Sequence, residues 1–209
     1  MNEGPAIGLS RSAALLAIFL CVVPAARADE SASARAAKLA QDVCAGCHRP
    51  SGETGQALVP TLAGQQKAYL VWQMRAYRFG FRDDPQAHDR MWSQAGKLDD
   101  ALVDALAAYF AAQPPHPGTP GSPALVARGK TLYEHGLPAS KVTDCASCHG
   151  PQAEGRDMFP RLAGQRADYL VRQLSLIQLH LRNVGIMHSA VEGLSEDDVK
   201  ALAAYLQSL

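Results

Sequence analysis

The chain has 209 residues, 47% of them hydrophobic and 19% charged, and its 20 basic side chains balance 20 acidic ones. That composition belongs to a folded chain with room for one large domain or two small ones. It leaves no basic footprint for nucleic acid, and any electrostatic steering of partners is local rather than global.

The first 28 residues read as a signal peptide. Arg11 precedes an apolar run from Ala13 to Val23, and Ala26-Arg27-Ala28 supplies a small-x-small cleavage site. The run is shorter than the roughly 20 residues that a spanning helix needs. Cleavage after Ala28 would export the chain to the periplasm with Asp29 first; a retained N-terminal anchor is the alternative. The bulky Leu20 ahead of Cys21 argues against lipoprotein processing. Cys21 leaves with this segment, and the remaining four cysteines form two Cys-x-x-Cys pairs, with none over for a disulfide. Without Arg11, Arg27 and Glu3 the chain carries 18 basic and 19 acidic residues.

A helix from about Ser33 leads into Cys44-Ala45-Gly46-Cys47-His48, and the same pentapeptide pattern returns as Cys145-Ala146-Ser147-Cys148-His149. Cys-x-x-Cys-His is the attachment site of a c-type haem. Both thiols lie on one side of a helical turn and reach one porphyrin edge, while the histidine that follows aims its imidazole at the iron. Zinc sites and thiol–disulfide centres also use Cys-x-x-Cys. The second of these wants a βαβ pattern, and no strand-rich stretch surrounds either motif. Two motifs a domain's length apart predict two covalently attached haems c.

The motifs sit inside a longer duplication. Residues Pro60–Met74 align with Pro160–Leu174, nine of fifteen positions being identical, and Leu98–Tyr109 aligns with Leu194–Tyr205. Tyr69–Phe79 and Tyr169–Leu181 carry apolar residues at the mixed three- and four-residue spacing of amphipathic helices. Gln113–Pro123 holds four prolines between its ends and the final Pro123, with two glycines, and reads as a linker. A helix from about Ala124 to His135 opens the second half, and Ser195-x-x-Asp198 resembles a capping box ahead of the last helix. The expected class is all-α: a signal peptide at 1–28, domains at 29–112 and 124–209, and the linker at 113–123. Domains of this size have small cores, so the porphyrin would form part of each.

Each iron needs a second axial ligand. Met91 and Met187 each lie seven residues before the leucine that opens the repeated closing segment, and they alone coincide when the halves are superposed. Met74 faces Leu174 in the repeat and reads as core, and Met158 reads as a loop residue. His88 and His188 flank the two methionines without being equivalent, and are the rival ligands. Histidine–methionine ligation would favour Fe(II), raise the potential and leave no open position for a substrate. Pro60 and Pro160 are candidates to accept a hydrogen bond from the ligand histidines' other ring nitrogen.

The chain resembles a dihaem class I cytochrome c, closest to the cytochrome c4 family. The resemblance covers nearly all of the mature chain and rests on the two haem motifs, the repeated Pro-x-Leu-Ala-Gly-Gln-x-x-x-Tyr-Leu, a methionine ahead of each final helix, and Leu-Ala-Ala-Tyr. It implies two tandem helical domains related by a pseudo-twofold axis, with thioether bonds from Cys44, Cys47, Cys145 and Cys148. His48, Met91, His149 and Met187 would then hold iron, and no residue would be catalytic. It implies an electron carrier between a quinol-oxidising complex or dehydrogenase and a terminal oxidase, with peripheral membrane association left open. A cytochrome subunit of a periplasmic dehydrogenase, such as a flavin-dependent sulfide dehydrogenase, is the alternative, and a dihaem enzyme comes third. The sequence departs from the pattern at Arg49, where glycine is usual, at the added loop Leu137–Asp144, and between Gln73 and Met91. That last stretch is four residues longer than Gln173 to Met187. It contains Arg75, Arg78, Phe79, Phe81 and Arg82, and reads either as a solvated loop or as a partner-docking surface.

Overall fold

The computed structural model describes Met1, Gly4 and residues 26–209 apart from Asp83 and Gln86. The signal-peptide assignment therefore lies outside the described residues except at Met1, Gly4 and its last three positions, the last three opening the first helix. Helix α1 (Ala26–Leu39) runs through a π-helical turn, Ala40–Cys44, into the short α2 (Ala45–His48). Helix α3 (Lys67–Arg78) follows. A second π-helical turn, Ala87–Met91, then leads into α4 (Trp92–Ala95) and on to α5 (Asp100–Ala111). The second half repeats the order with α6 (Pro123–His135), α7 (Ala146–His149), α8 (Ala167–Gln178), α9 (Gly185–Val191) and α10 (Glu196–Ser208). Among the described residues β-structure amounts to two isolated bridges, Leu137 with Val142 and Arg156 with Phe159. The fold is all-α and duplicated, as the pattern predicts.

Local chemistry sets the helix ends. Pro123 occupies the first turn of α6, where its missing N–H costs nothing. Asp99 caps α5 by accepting from Leu102 N at 2.8 Å. Ser195 and Asp198 form the expected capping box on α10. Helix α8 ends three residues before the periodicity does, because His180 turns into a left-handed conformation (φ 57°). Its repeat partner is Gly80 (φ 72°), the residue such a bend favours.

In each half the first and last long helices cross. Ala36 and Ala40, both fully buried, let α1 approach Leu106, Ala107 and Phe110 of α5. Gly129 plays this part on α6, where a Cβ would stand 2.0 Å from the Ala201 carbonyl oxygen of α10. The loop at 137–144 is exposed at 138–141 and at Thr143 but anchored: Val142 is buried in the second core, and the Ser140 carbonyl lies against Gly193. Among the described residues, each of the three buried apolar clusters belongs to a single half.

The Pro/Gly-rich stretch between α5 and α6 is seated on both halves. Pro115 packs on Gly64, the His116 carbonyl on Gly164, and Thr119 N donates to Gln207 O at 2.8 Å. Where the halves meet, the contacts are polar. Gln165 takes Thr61 N and gives its amide to Thr61 O, both at 2.9 Å. Gln65 does the same to Arg161, at 2.7 and 2.9 Å. Thr61 and Arg161, like Gln65 and Gln165, are equivalent in the repeat, so the pseudo-twofold axis passes between the two clamps.

Candidate haem centres

Helices α2 and α7 place each motif on a single turn, so the two thiols and the imidazole of each half leave the backbone together. His48 and His149 are buried (8% and 5% exposed). Nδ1 of each faces a proline carbonyl, Pro60 O at 3.0 Å and Pro160 O at 2.9 Å. Donation from Nδ1 fixes the tautomer and leaves the lone pair on Nε2. In His149 that Nε2 is buried without a hydrogen-bond partner. Burial pushes both imidazoles below the usual histidine range, against the carbonyl that each one faces. Neutral histidines with a fixed, free Nε2 are what an axial iron bond requires.

The four cysteines are free, half-buried thiols. Burial raises the Cys44 thiol and pushes Cys145 up to about 11. A thiol–disulfide centre needs the opposite shift. Among the described residues no three histidine, cysteine or acidic side chains gather into a metal site, so the motifs do not merge into shared zinc ligation. The donor set in each half suits a porphyrin bonded through two thioethers and one imidazole.

Met91 ends the π-helical turn and packs, half-buried, beside Met74 against Tyr77, Ala87 and Ala95. Its segment is pinned at both ends. Asp84 Oδ1 accepts from Ala87 N at 3.3 Å, and Trp92 Nε1 donates to Arg82 O at 2.7 Å. Met187 lies on α9 against the second core. Of the rival ligands, His188 has both nitrogens engaged, Nδ1 donating to Ile177 O at 2.9 Å and Nε2 accepting from Val184 N at 3.3 Å. His88 is exposed and lies against the Trp92 ring. Met158 is exposed in its turn.

A family model described as Cytochrome c matches the chain twice, over residues 33–113 and 126–209. Cytochrome c4 of Azotobacter vinelandii is 35% identical over 212 residues, covering 96% of this chain and 100% of that protein. The chain belongs to the cytochrome c4 family. The solved cytochrome c4 of Acidithiobacillus ferrooxidans superposes with a TM-score of 0.76 at 36% identity, covering 79% of this chain and 98% of that one. A thiosulfate dehydrogenase from Marichromatium purpuratum gives a TM-score of 0.75 at 33% identity, covering 84% of this chain and 40% of that one. As a cytochrome c4 the chain carries two covalently bound haems c and transfers electrons.

One expectation needs correction. Arg82 belongs neither to a solvated loop nor to an exposed docking surface, being 6% exposed. Its guanidinium bonds Asp84 at 2.9 Å, Gln173 at 2.8 Å and Gln73. Arg182 bonds the same two glutamine oxygens, Gln173 at 2.7 Å and Gln73 at 3.4 Å, and adds Tyr69. The seam between the halves thus holds two buried guanidinium groups sharing two carbonyl oxygens. Arg82 lies nine positions after Gln73, and Arg182 nine positions after Gln173. That match is the missed signal, and it places the four extra residues after Arg82. Arg78, by contrast, pairs with Asp100 at 2.5 Å, while Phe79 and Phe81 are exposed.

Proposed function

We propose that this chain is a periplasmic electron shuttle with two six-coordinate haems. It would receive electrons from a quinol-oxidising complex or a dehydrogenase and deliver them to a terminal oxidase. His48 and Met91 would hold the first iron and His149 and Met187 the second, with Cys44, Cys47, Cys145 and Cys148 as the thioether sites. The observation that carries this is the pair of buried histidines, each tethered at Nδ1 by a proline carbonyl with Nε2 left for iron. Bound haem supplies a reversible one-electron Fe(II)/Fe(III) couple. The chain's own residues hold the histidine tautomer, keep the site dry and offer a thioether that favours the reduced state. The apolar run and cleavage site at the N-terminus support export. No helix among the described residues is long and apolar enough to cross a membrane.

Optical spectra of the loaded protein, ferric and reduced, with and without carbon monoxide, test the ligand set. Two low-spin haems indifferent to carbon monoxide, with the far-red ferric band of iron–methionine bonding, are expected. Carbon monoxide binding at either haem overturns six-coordination there. The likeness to part of a thiosulfate dehydrogenase favours a second reading, a cytochrome subunit held in a periplasmic dehydrogenase. Purification from the native membrane and periplasm separates the two, since a subunit emerges at fixed stoichiometry with its enzyme and a shuttle emerges alone.

A further inference from the structure

Each motif histidine is tied to the opposite half of the molecule through a single peptide group. The Pro60–Thr61 peptide bonds in two directions. Its carbonyl accepts from His48 Nδ1 at 3.0 Å, and its N–H donates to Gln165 Oε1 at 2.9 Å. The Pro160–Arg161 peptide repeats this with His149 Nδ1 at 2.9 Å and Gln65 Oε1 at 2.7 Å. Both glutamines are 5% exposed. Neither amide is free to turn away. Each Nε2 donates to the carbonyl of the residue whose N–H it faces. Each Oε1 also accepts from the next residue's backbone, Gln66 N at 2.9 Å and Arg166 N at 3.1 Å.

An amide that donates through N–H accepts more strongly at its carbonyl, because both bonds polarise the same delocalised group. A stronger acceptor at Nδ1 makes the imidazole a more basic ligand. Hydrogen bonding around an axial ligand is one of the levers on haem potential, and a more basic ligand favours Fe(III). We infer that Gln165 and Gln65 are positioning residues that act crosswise: the second half's Gln165 lowers the potential of the first haem through His48, and the first half's Gln65 lowers that of the second haem through His149. This rests on the reading of His48 and His149 as iron ligands. It makes the docking of the halves part of the redox chemistry of each.

The test measures both reduction potentials of the holoprotein, with the haems told apart by proton NMR contacts to their motif cysteines. Gln165→Met removes the amide at similar volume and should raise the first haem's potential while leaving the second in place. Gln65→Met should do the reverse, and the double variant should raise both. Gln165→Glu keeps an acceptor facing Thr61 N–H, so the first haem's potential should stay or fall. If Gln165→Met does not fold, Gln65→Met and Gln165→Glu carry the test. A methionine variant that moves its own half's haem, moves both equally or moves neither overturns the inference. So does a shift of one sign from both Met and Glu at position 165. His48→Ala separates the two readings: an unchanged low-spin first haem in that variant removes the ligand assignment itself.

Discussion

Arg49 shows what a single residue concedes. It follows the first motif with φ 56° and ψ 159°, nearly the backbone of Gly150 after the second motif, at φ 85° and ψ 155°. That region is essentially glycine's own, and another residue held there costs about 1–3 kcal/mol. Gly55 gives the side chain room, since the guanidinium lies where a Cβ at 55 would stand. Arg49→Gly relieves the strain and returns at most about 1 kcal/mol through a freer unfolded chain. The expected result is a gain on the order of 1 kcal/mol, read as a rise of about 2–4 °C in thermal midpoint. The motif cysteines and histidines were legible at this scale because their chemistry is local. Gln65 and Gln165 were visible as identical repeat positions, but an uncharged side chain at a matched site does not say what it faces.

At the scale of elements, small residues decide how closely helices cross. Gly129→Ala would press a methyl group into the Ala201 carbonyl of α10, and overpacking of this kind costs about 1–3 kcal/mol. Denaturant unfolding should show that loss, although alanine is the better helix former. The cap of α10 makes a second case. Burial works to raise the Asp198 carboxyl, but Ser195 and Arg128 outweigh it and hold the group below the ordinary carboxylate range. A lowered carboxylate stabilises the fold above its unfolded value, near pH 4, and this contribution fades as pH falls through the folded value. Ser195→Ala should cost about 1 kcal/mol at neutral pH. The gap in thermal midpoint between the parent and Asp198→Asn should narrow as the pH is taken from 5 towards 2. Helix order and this cap could be read from periodicity and spacing. The early end of α8 could not, because His180 bends where a glycine would have announced the bend.

Across the whole molecule the halves share a polar seam and separate apolar cores. The seam is symmetric in its glutamines and arginines but not in its charge, because Asp84 stands beside Arg82 and Val184 holds the equivalent place beside Arg182. Arg82→Met would leave Asp84, 2% exposed, buried without its partner, and breaking such a pair costs about 3–5 kcal/mol. Arg182→Met abandons no carboxylate and should cost less; denaturant titration of the two holoproteins compares them directly. The sequence named the duplication but not this seam, since contacts between halves depend on how two copies pair, which periodicity within one copy does not encode.

The seated stretch from Gln113 to Pro123 bears on why such a seam suffices. Permanent partners usually bury a broad apolar face, and among the described residues no apolar cluster crosses from one half to the other. A short connection instead keeps each half at an effective concentration of about millimolar relative to the other. Any opening would therefore close again within the same molecule, at a rate independent of dilution. Cut between the halves, the two pieces would have to find each other in solution with the hydrogen bonds of the seam to hold them.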